Sequence, residues 1–259
     1  MIAMTISVLV AFHYPYALPS AECYLPLQVG AAGRPSFGPR WARDDTGENI
    51  SGKNATFCEL TGLYWAWKNL DADVYGLCHY RRYFGYRRVG RDKKDCLLTG
   101  SQVKALLQNC DLILPRKRRY WIETRESQYA HAHHIKDLQC VERILTERYP
   151  EYLEAWRWML GTRSGHICNM FVMRKADLDA YCTWLFDILF EAEKRLDISG
   201  YSDKDKRVFG YLGERLLDVW VRQDKKRYAE VPVINLESQH WIKKAGTFLR
   251  RKIKADNAP

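Results

Sequence analysis

The sequence predicts an α/β fold: one domain built on a central, mostly parallel sheet flanked by helices. Short apolar runs alternate with longer segments of helical periodicity, the order expected of βα units. Hydrophobic residues make up 47% of the 259 residues and charged residues 28%, which is enough to cover a sheet on both faces. Neither an internal repeat nor a linker interrupts the chain. The expected division is a domain over residues 1–240 and a basic amphipathic tail over 241–259.

Ile6–Phe12 is a continuous apolar run and reads as a first buried strand. It has no basic segment before it, and the first charged residue is Glu22, so it does not read as a signal peptide. A long loop rich in Pro and Gly follows, and a loop of that length inside a compact domain is usually functional or disordered. Residues 56–69 repeat Leu60, Leu63, Tyr64 and Trp67 at helical spacing. Residues 74–78 form a short buried strand, and residues 111–114 another, stopped by Pro115. A helix over 137–148 carries Leu138, Val141 and Leu145 on one face. Residues 166–173 read as a strand and 177–195 as the longest helix. A further helix over 206–222 buries Phe209, Leu212, Leu216 and Val219, and 228–234 is a late strand. Within 241–254, Lys243, Lys244, Arg250, Arg251, Lys252 and Lys254 flank Trp241, Ile242, Phe248, Leu249 and Ile253. That is the composition of a helix lying on an anionic membrane, or of a basic arm for nucleic acid.

The formal net charge of +10 favours nucleic acid, anionic lipid or a phosphorylated small molecule without ranking them. The 13% aromatic content hints at rings that stack on sugars or bases. Eight dispersed cysteines with no CxxC pair read as buried thiols in a reducing compartment. No run approaches the ~20 apolar residues that span a bilayer. In a cytoplasmic chain the sequons at Asn49 and Asn54 are accidental. A Walker loop and a GxSxG elbow are absent, and Gly30 and Gly33 do not fit the dinucleotide fingerprint.

Four constellations carry candidate chemistry. Arg43, Asp44, Asp45, Asn49, Ser51, Lys53 and Asn54 lie between the first strand and a helix start, where open α/β sheets bind ligands. His79-Tyr80-Arg81-Arg82 follows a buried strand, and adjacent arginines there can clamp a diphosphate. Arg207, Tyr211, Glu214 and Asp218 share a helix face; periodicity alone makes that a solvated face with ion pairs. His131, His133 and His134, with Glu123 and Glu126 nearby, suit a surface or acceptor groove better than a zinc site. Asp71-Ala72-Asp73 has the DxD form that holds a metal in many nucleotide-sugar enzymes, but it precedes its strand and reads as a helix-to-strand turn.

Several long segments resemble one family. They are Arg43 to Ser51, Cys58 to Asn69, Gly76 to Phe84, Tyr120 to Thr124, Ser127 to His131, Asn169 to Phe171, Trp184 to Asp187, Arg207 to Gly210 and Glu214 to Trp220. The family was formerly classed as a domain of unknown function. It is associated with bacterial galactofuranosyltransferases of capsule, exopolysaccharide and O-antigen synthesis. The resemblance implies a GT-A-like nucleotide-sugar fold, UDP-galactofuranose as donor and inversion at the transferred carbon. It makes Glu214 the first choice for the base, with Asp203 or Asp205 as the fallback. Arg81, Arg82 and Arg207 would hold the diphosphate, with His79 and Tyr80 beside them. The polar loop and Glu59 would hold the nucleoside and sugar. His166 and Asn169, with Glu123 and His131, would line the sugar or acceptor pocket. His79-Tyr80-Arg81 stands about where related folds carry DxD, so protein cations could replace a metal. Manganese or magnesium is left open, and no covalently bound cofactor is expected.

The implied partners are the UDP-sugar, a polyprenol-diphosphate-linked glycan and an anionic membrane reached through the tail. The expected location is cytoplasmic, at the inner face of the cell membrane, with no nucleic acid bound. The alternatives are a non-catalytic RNA- or polyanion-binding protein using His79 to Arg88, Arg116 to Trp121 and the tail, and a degenerate transferase serving as an assembly partner.

Overall fold

A computed structural model describes residues 4–19, 21–86 and 93–237. The strands are β1 (Ile6–Phe12), β2 (Tyr24–Gln28), β3 (Ala42–Arg43), β4 (Val74–His79), β5 (Arg82–Phe84), β6 (Leu112–Pro115), β7 (Arg118–Arg119), β8 (Ser164–Gly165), β9 (Phe171–Arg174), β10 (Tyr228–Val231) and β11 (Val233–Asn235). The helices are α1 (Asn54–Phe57), α2 (Leu60–Asn69), α3 (Gly100–Leu107), α4 (Arg125–Ala132), α5 (Ile135–Arg148), α6 (Leu153–Gly161), α7 (Lys175–Arg195) and α8 (Val208–Gln223).

The continuous apolar runs become strands buried on both faces, as parallel sheets require. The main path is β10-β6-β9-β4-β1-β2-β3, and β5 and β11 are joined to it at the end of β4. Every pairing along the path is parallel except the two made by β9. The sheet is therefore mostly parallel and flanked by helices, as the alternation of patterns predicts.

Side-chain alternation divides the core into two layers. Leu9, Ala11, Tyr75, Leu77, Leu112, Leu114, Phe171 and Met173 face one layer, together with apolar residues of α2 and α4 to α8. Val8, Val10, Phe12, Val74, Cys78, Ile113 and Val172 face the other, with Val103 and Leu107 of α3. All eight cysteines are free, and seven of them are buried. No helix among the described residues is long and apolar enough to cross a membrane.

The long loop expected after the first strand contains β2 and β3, and α3, α4 and α6 were not anticipated from periodicity. Three expected elements also differ in detail. The helix expected over 56–69 is broken at Cys58, whose φ of 53° cannot continue a right-handed helix. The strand expected over 166–173 pairs in the sheet only from Phe171, because Cys168 (φ 72°) and Asn169 (φ 49°) turn the chain out of it. The face of α8 expected to be solvated is enclosed toward its C-terminal end: Arg207 is exposed, Tyr211 and Glu214 are half-buried, and Asp218 is buried. The tail at 241–259, including its basic amphipathic stretch, lies outside the described residues.

The long loop after β2 is ordered by one buried carboxylate. Asp44 accepts from the Gly30 N–H (2.8 Å), the Ala31 N–H (2.9 Å), the Ser51 hydroxyl (2.5 Å) and the Thr61 hydroxyl (2.6 Å). Asp44→Ala orphans four donors at once and is expected to cost about 3 kcal/mol of stability, read as a lower urea midpoint.

Candidate active site

The parallel pairing of β1 and β4 sets Ala11 opposite His79, so the chain just past β1 emerges beside the end of β4. β9 runs antiparallel to β4, with Leu77 opposite Phe171, so the residues before Phe171 reach the same edge. That edge is the carboxyl end of the parallel strands, where open α/β sheets bind ligands. Here the two left-handed residues place polar atoms that a continuing strand would have paired within the sheet.

His79 Nε2 lies 2.6 Å from the Cys168 carbonyl oxygen, which can only accept, so Nε2 carries the proton. The same nitrogen is 3.9 Å from Glu59 Oε1. Asn169 Nδ2 donates to Glu59 Oε1 (2.8 Å) and to the Gly210 carbonyl (3.0 Å), tying the loop to the starts of α2 and α8. The Cys168 N–H lies close enough to the Glu214 carboxylate to favour its charged form. α8 approaches this loop closely. A Cβ on Gly213 would stand 2.9 Å from Leu60 Cδ1 and 3.0 Å from Asn169 Oδ1, so a side chain there would push the helix away.

Burial raises the Glu214 pKa above the ordinary 4.5 of a glutamate, and Glu59 adds to the rise, while Arg215 and His79 oppose it. Burial lowers the pKa of His13, so the imidazole is neutral at pH 7; Glu59, His79, Arg207 and Arg34 are near enough to act on its charge. Burial pushes the Cys58 and Cys168 thiols up to about 12, so both stay protonated and are poor nucleophiles. Arg82 and Arg118 act electrostatically on Cys168, and Arg207 Nε donates to Cys58 Sγ at 3.1 Å. Two carboxylates, Glu59 and Glu214, thus gather at this edge with His79 and Asn169, and Arg34, Arg82, Arg118 and Arg207, from four separate segments, act on the charges of neighbouring groups.

Residues 7–226 match the family described as a domain of unknown function (DUF4422). The chain belongs to this family. Its structure is similar to a solved structure described as the apo form of the WbbM bifunctional glycosyltransferase, with a TM-score of 0.83 and 29% identity. The match covers 90% of this chain and 46% of the other, so this chain spans less than half of that protein. No curated protein matches the sequence.

In this DUF4422 chain, Glu59, His79, Asn169, Arg82, Arg207 and Glu214 come together as the sequence suggests. Arg81 does not: with Tyr80 it forms the turn joining β4 to β5, its Nη1 bonds Glu237 at 2.9 Å, and its guanidinium covers the Tyr80 ring at 4.6 Å. The Tyr80 hydroxyl donates to that of Tyr14 at 2.7 Å.

The polar loop reaches the correct edge, but its side chains are spent on its own architecture. Arg43 binds Asp45, Asn49 accepts from the Ser51 N–H, and Asn54 donates to the Cys58 carbonyl. Lys53 is held by Glu193 of α7 at 2.5 Å rather than left for a phosphate.

His166 is buried among protein partners, with Nδ1 2.5 Å from Asp218 Oδ1, its N–H donating to Asp218 Oδ2 (3.1 Å) and Nε2 3.3 Å from Glu230. Arg125 completes an ion pair with Asp218 and donates to the Glu214 carbonyl, so this network braces α8 under Glu214. Glu123 and His131 bind each other at 2.6 Å. Both oxygens of Asp205 are occupied, by His133 (3.0 Å) and Ser202 (2.6 Å), while Asp203 is exposed. Asp73 accepts from the Thr5 N–H at the opposite, amino edge of β4, so Asp71-Ala72-Asp73 is the turn expected. Among the described residues no three His, Cys, Asp or Glu side chains gather as a metal-ligand set.

His13 and Arg34 were not singled out from the sequence, and Arg118 entered there only within the basic segment 116–121 of the polyanion-binding reading. Of the first two, only His13 left a signal there, as the first polar residue after a buried strand.

Proposed function

We propose that the chain is an inverting glycosyltransferase. It moves galactofuranose from UDP-galactofuranose to a hydroxyl of a polyprenol-diphosphate-linked glycan, in the assembly of a capsule, exopolysaccharide or O-antigen. The observation that carries this is Glu214, a half-buried carboxylate of raised pKa at the carboxyl edge of the parallel strands, grouped with Glu59, His79 and Asn169 and with arginines acting on the neighbouring groups. The likeness to a bifunctional glycosyltransferase supports transfer of a sugar; the donor and acceptor come from the family resemblance.

Glu214 takes the proton of the acceptor hydroxyl as that oxygen attacks the anomeric carbon. The bond from that carbon to the β-phosphate oxygen breaks on the opposite face, so the configuration inverts and UDP leaves with the electron pair. Arg82, Arg207 and Arg118 stabilise the charge on UDP, with Arg34 near His13 extending the cationic rim. His79, donating to Cys168, and Asn169, tied to Glu59, fix the loop beside Glu214. If manganese or magnesium were required, Glu59 would be the carboxylate of this site to hold it, and the ion would supply positive charge to the leaving diphosphate. The enzyme works at the cytoplasmic face of the membrane, aided by the tail at 241–259.

Calorimetry of UDP binding, with manganese and with EDTA, tests this reading. Micromolar binding is expected, and Arg82→Ala or Arg207→Ala should weaken it about tenfold or more. The response to EDTA assigns the diphosphate to a metal or to the arginines. No binding under either condition would remove the transferase reading. The polyanion-binding alternative has the exposed cations at 116–119 in its favour, but it leaves Glu59 and Glu214 without a role.

A further inference from the structure

Beyond β6 the chain leaves the main sheet and builds a separate two-stranded ribbon. Arg118 pairs with Gly165 and Arg119 with Ser164. The stem is firm: the Tyr120 N–H donates to the Arg163 carbonyl (2.8 Å), and the Arg125 N–H to the Thr162 carbonyl (2.8 Å). At its end the chain turns sharply, with the Ile122 N–H donating to the Tyr120 carbonyl at 2.6 Å.

The turn is made on Trp121, at a φ of 57°. That conformation is unfavourable for a bulky side chain, and asparagine or glycine would adopt it more readily. The Trp121 side chain gains nothing from the fold in return: at 75% it is the most exposed large apolar residue among those described, and Ile122 beside it is 48% exposed. Arg116, Arg118 and Arg119 are also exposed, and the Arg119 guanidinium lies 6.0 Å from the Trp121 ring centre. An indole, a branched aliphatic side chain and three guanidiniums thus project from seven consecutive residues.

That combination fits an anionic bilayer surface. An indole settles at headgroup depth, an isoleucine just below it, and guanidiniums meet lipid phosphates. Single-stranded nucleic acid would use the cations and the indole, but it offers Ile122 no comparable partner. The tip also stands beside the site. Tyr120, one residue before Trp121, feels the charges of Glu214 and Arg125, and Arg118 acts on Cys168.

We propose that residues 116–122 form a membrane-docking tip, which inserts Trp121 and Ile122 among anionic lipids and turns the site toward the bilayer. Its purpose rests on the lipid-linked acceptor proposed above; its existence does not, because docking is measured without turnover.

The full chain is sedimented with phosphatidylcholine vesicles, with and without phosphatidylglycerol. Binding is expected only when the anionic lipid is present. The double variant Trp121→Asn, Ile122→Ser keeps a residue suited to the turn and should weaken vesicle binding about tenfold. Arg116→Gln with Arg119→Gln should weaken it about 25-fold, roughly fivefold for each charge. Far-UV circular dichroism and UDP affinity should match the parent in both variants. Undiminished vesicle binding by both variants would overturn the proposal and give docking to another surface, the tail first. Weakened binding to RNA or to a soluble glycan acceptor, with vesicle binding intact, would overturn it in favour of a ligand groove. Failure of the transferase reading shows separately, as absent UDP binding.

Discussion

Glu214→Gln is expected to lower kcat by about 10²–10⁴-fold while raising the temperature of unfolding. The two effects have one cause. The folded protein holds this carboxylate where burial penalises its charge, so its pKa is raised. Between the unfolded value near 4.5 and the raised folded value, the unfolded chain gives up a proton that the folded chain keeps. Stability therefore falls as pH rises through that window, and the penalty is fully present above it. Glutamine keeps the shape but removes the charge, and so removes both the base and the penalty. The acid limb of the parent's kcat/KM profile should correspondingly lie above pH 4.5. A folded Glu214→Gln protein with full activity would take the base assignment away. A loss of activity accompanied by a lower melting temperature would assign the residue to structure instead.

Arg125→Met is expected to cost about 3–5 kcal/mol, the largest stability loss among the substitutions considered. Arg125 and Asp218 are 3% and 4% exposed, and they form a direct ion pair. Removing the cation leaves a buried carboxylate with only His166 and its N–H as partners. Burial alone would raise the Asp218 pKa, but Arg125 and His166 together hold it below the ordinary 3.8. The stability from this pair is therefore present above pH 3.8 and is lost as pH falls through the depressed folded value. Arg125→Met should flatten that acid dependence. Replacing both partners with apolar residues should restore much of the stability at neutral pH, because a neutral pair leaves no buried charge behind. Equal losses in the single and double variants would show that the pair does not act as a unit. Asp218 also anchors His166 and α8 beneath Glu214, so Arg125→Met should reduce kcat in the fraction that stays folded, with less effect on UDP affinity.

The strands, the helices and the two-faced burial of the sheet follow from local patterns. Val8 and Val10 alternate with Leu9 and Ala11, and each parity meets its own apolar layer. Hydrophobic burial is non-directional and summed over many residues, so periodicity in one chain is sufficient to announce it. Of the site residues, His79 was legible from the residues themselves, at the end of a buried strand; Glu59, Asn169 and Glu214 were marked by the family resemblance, and periodicity alone left Glu214 on a solvated face.

Tertiary structure decided what each polar residue does. Asp44 and Glu59 are both buried carboxylates near one helix start, yet Asp44 spends its oxygens on the loop while Glu59 belongs to the site. Lys53 turned to Glu193, and Arg81 to Glu237, 140 and 156 positions away in the sequence. His166 went to Asp218, and His13, Arg34 and Arg118 arrived from segments with no shared motif. A hydrogen bond depends on direction and on a few tenths of an ångström, and an ion pair depends on the burial of both partners. Spacing along a chain carries neither quantity. The sequence by itself determined the layers and the edge at which the site forms; the left-handed turn at Cys168 and Asn169, set by packing against α8, determined which groups face one another there.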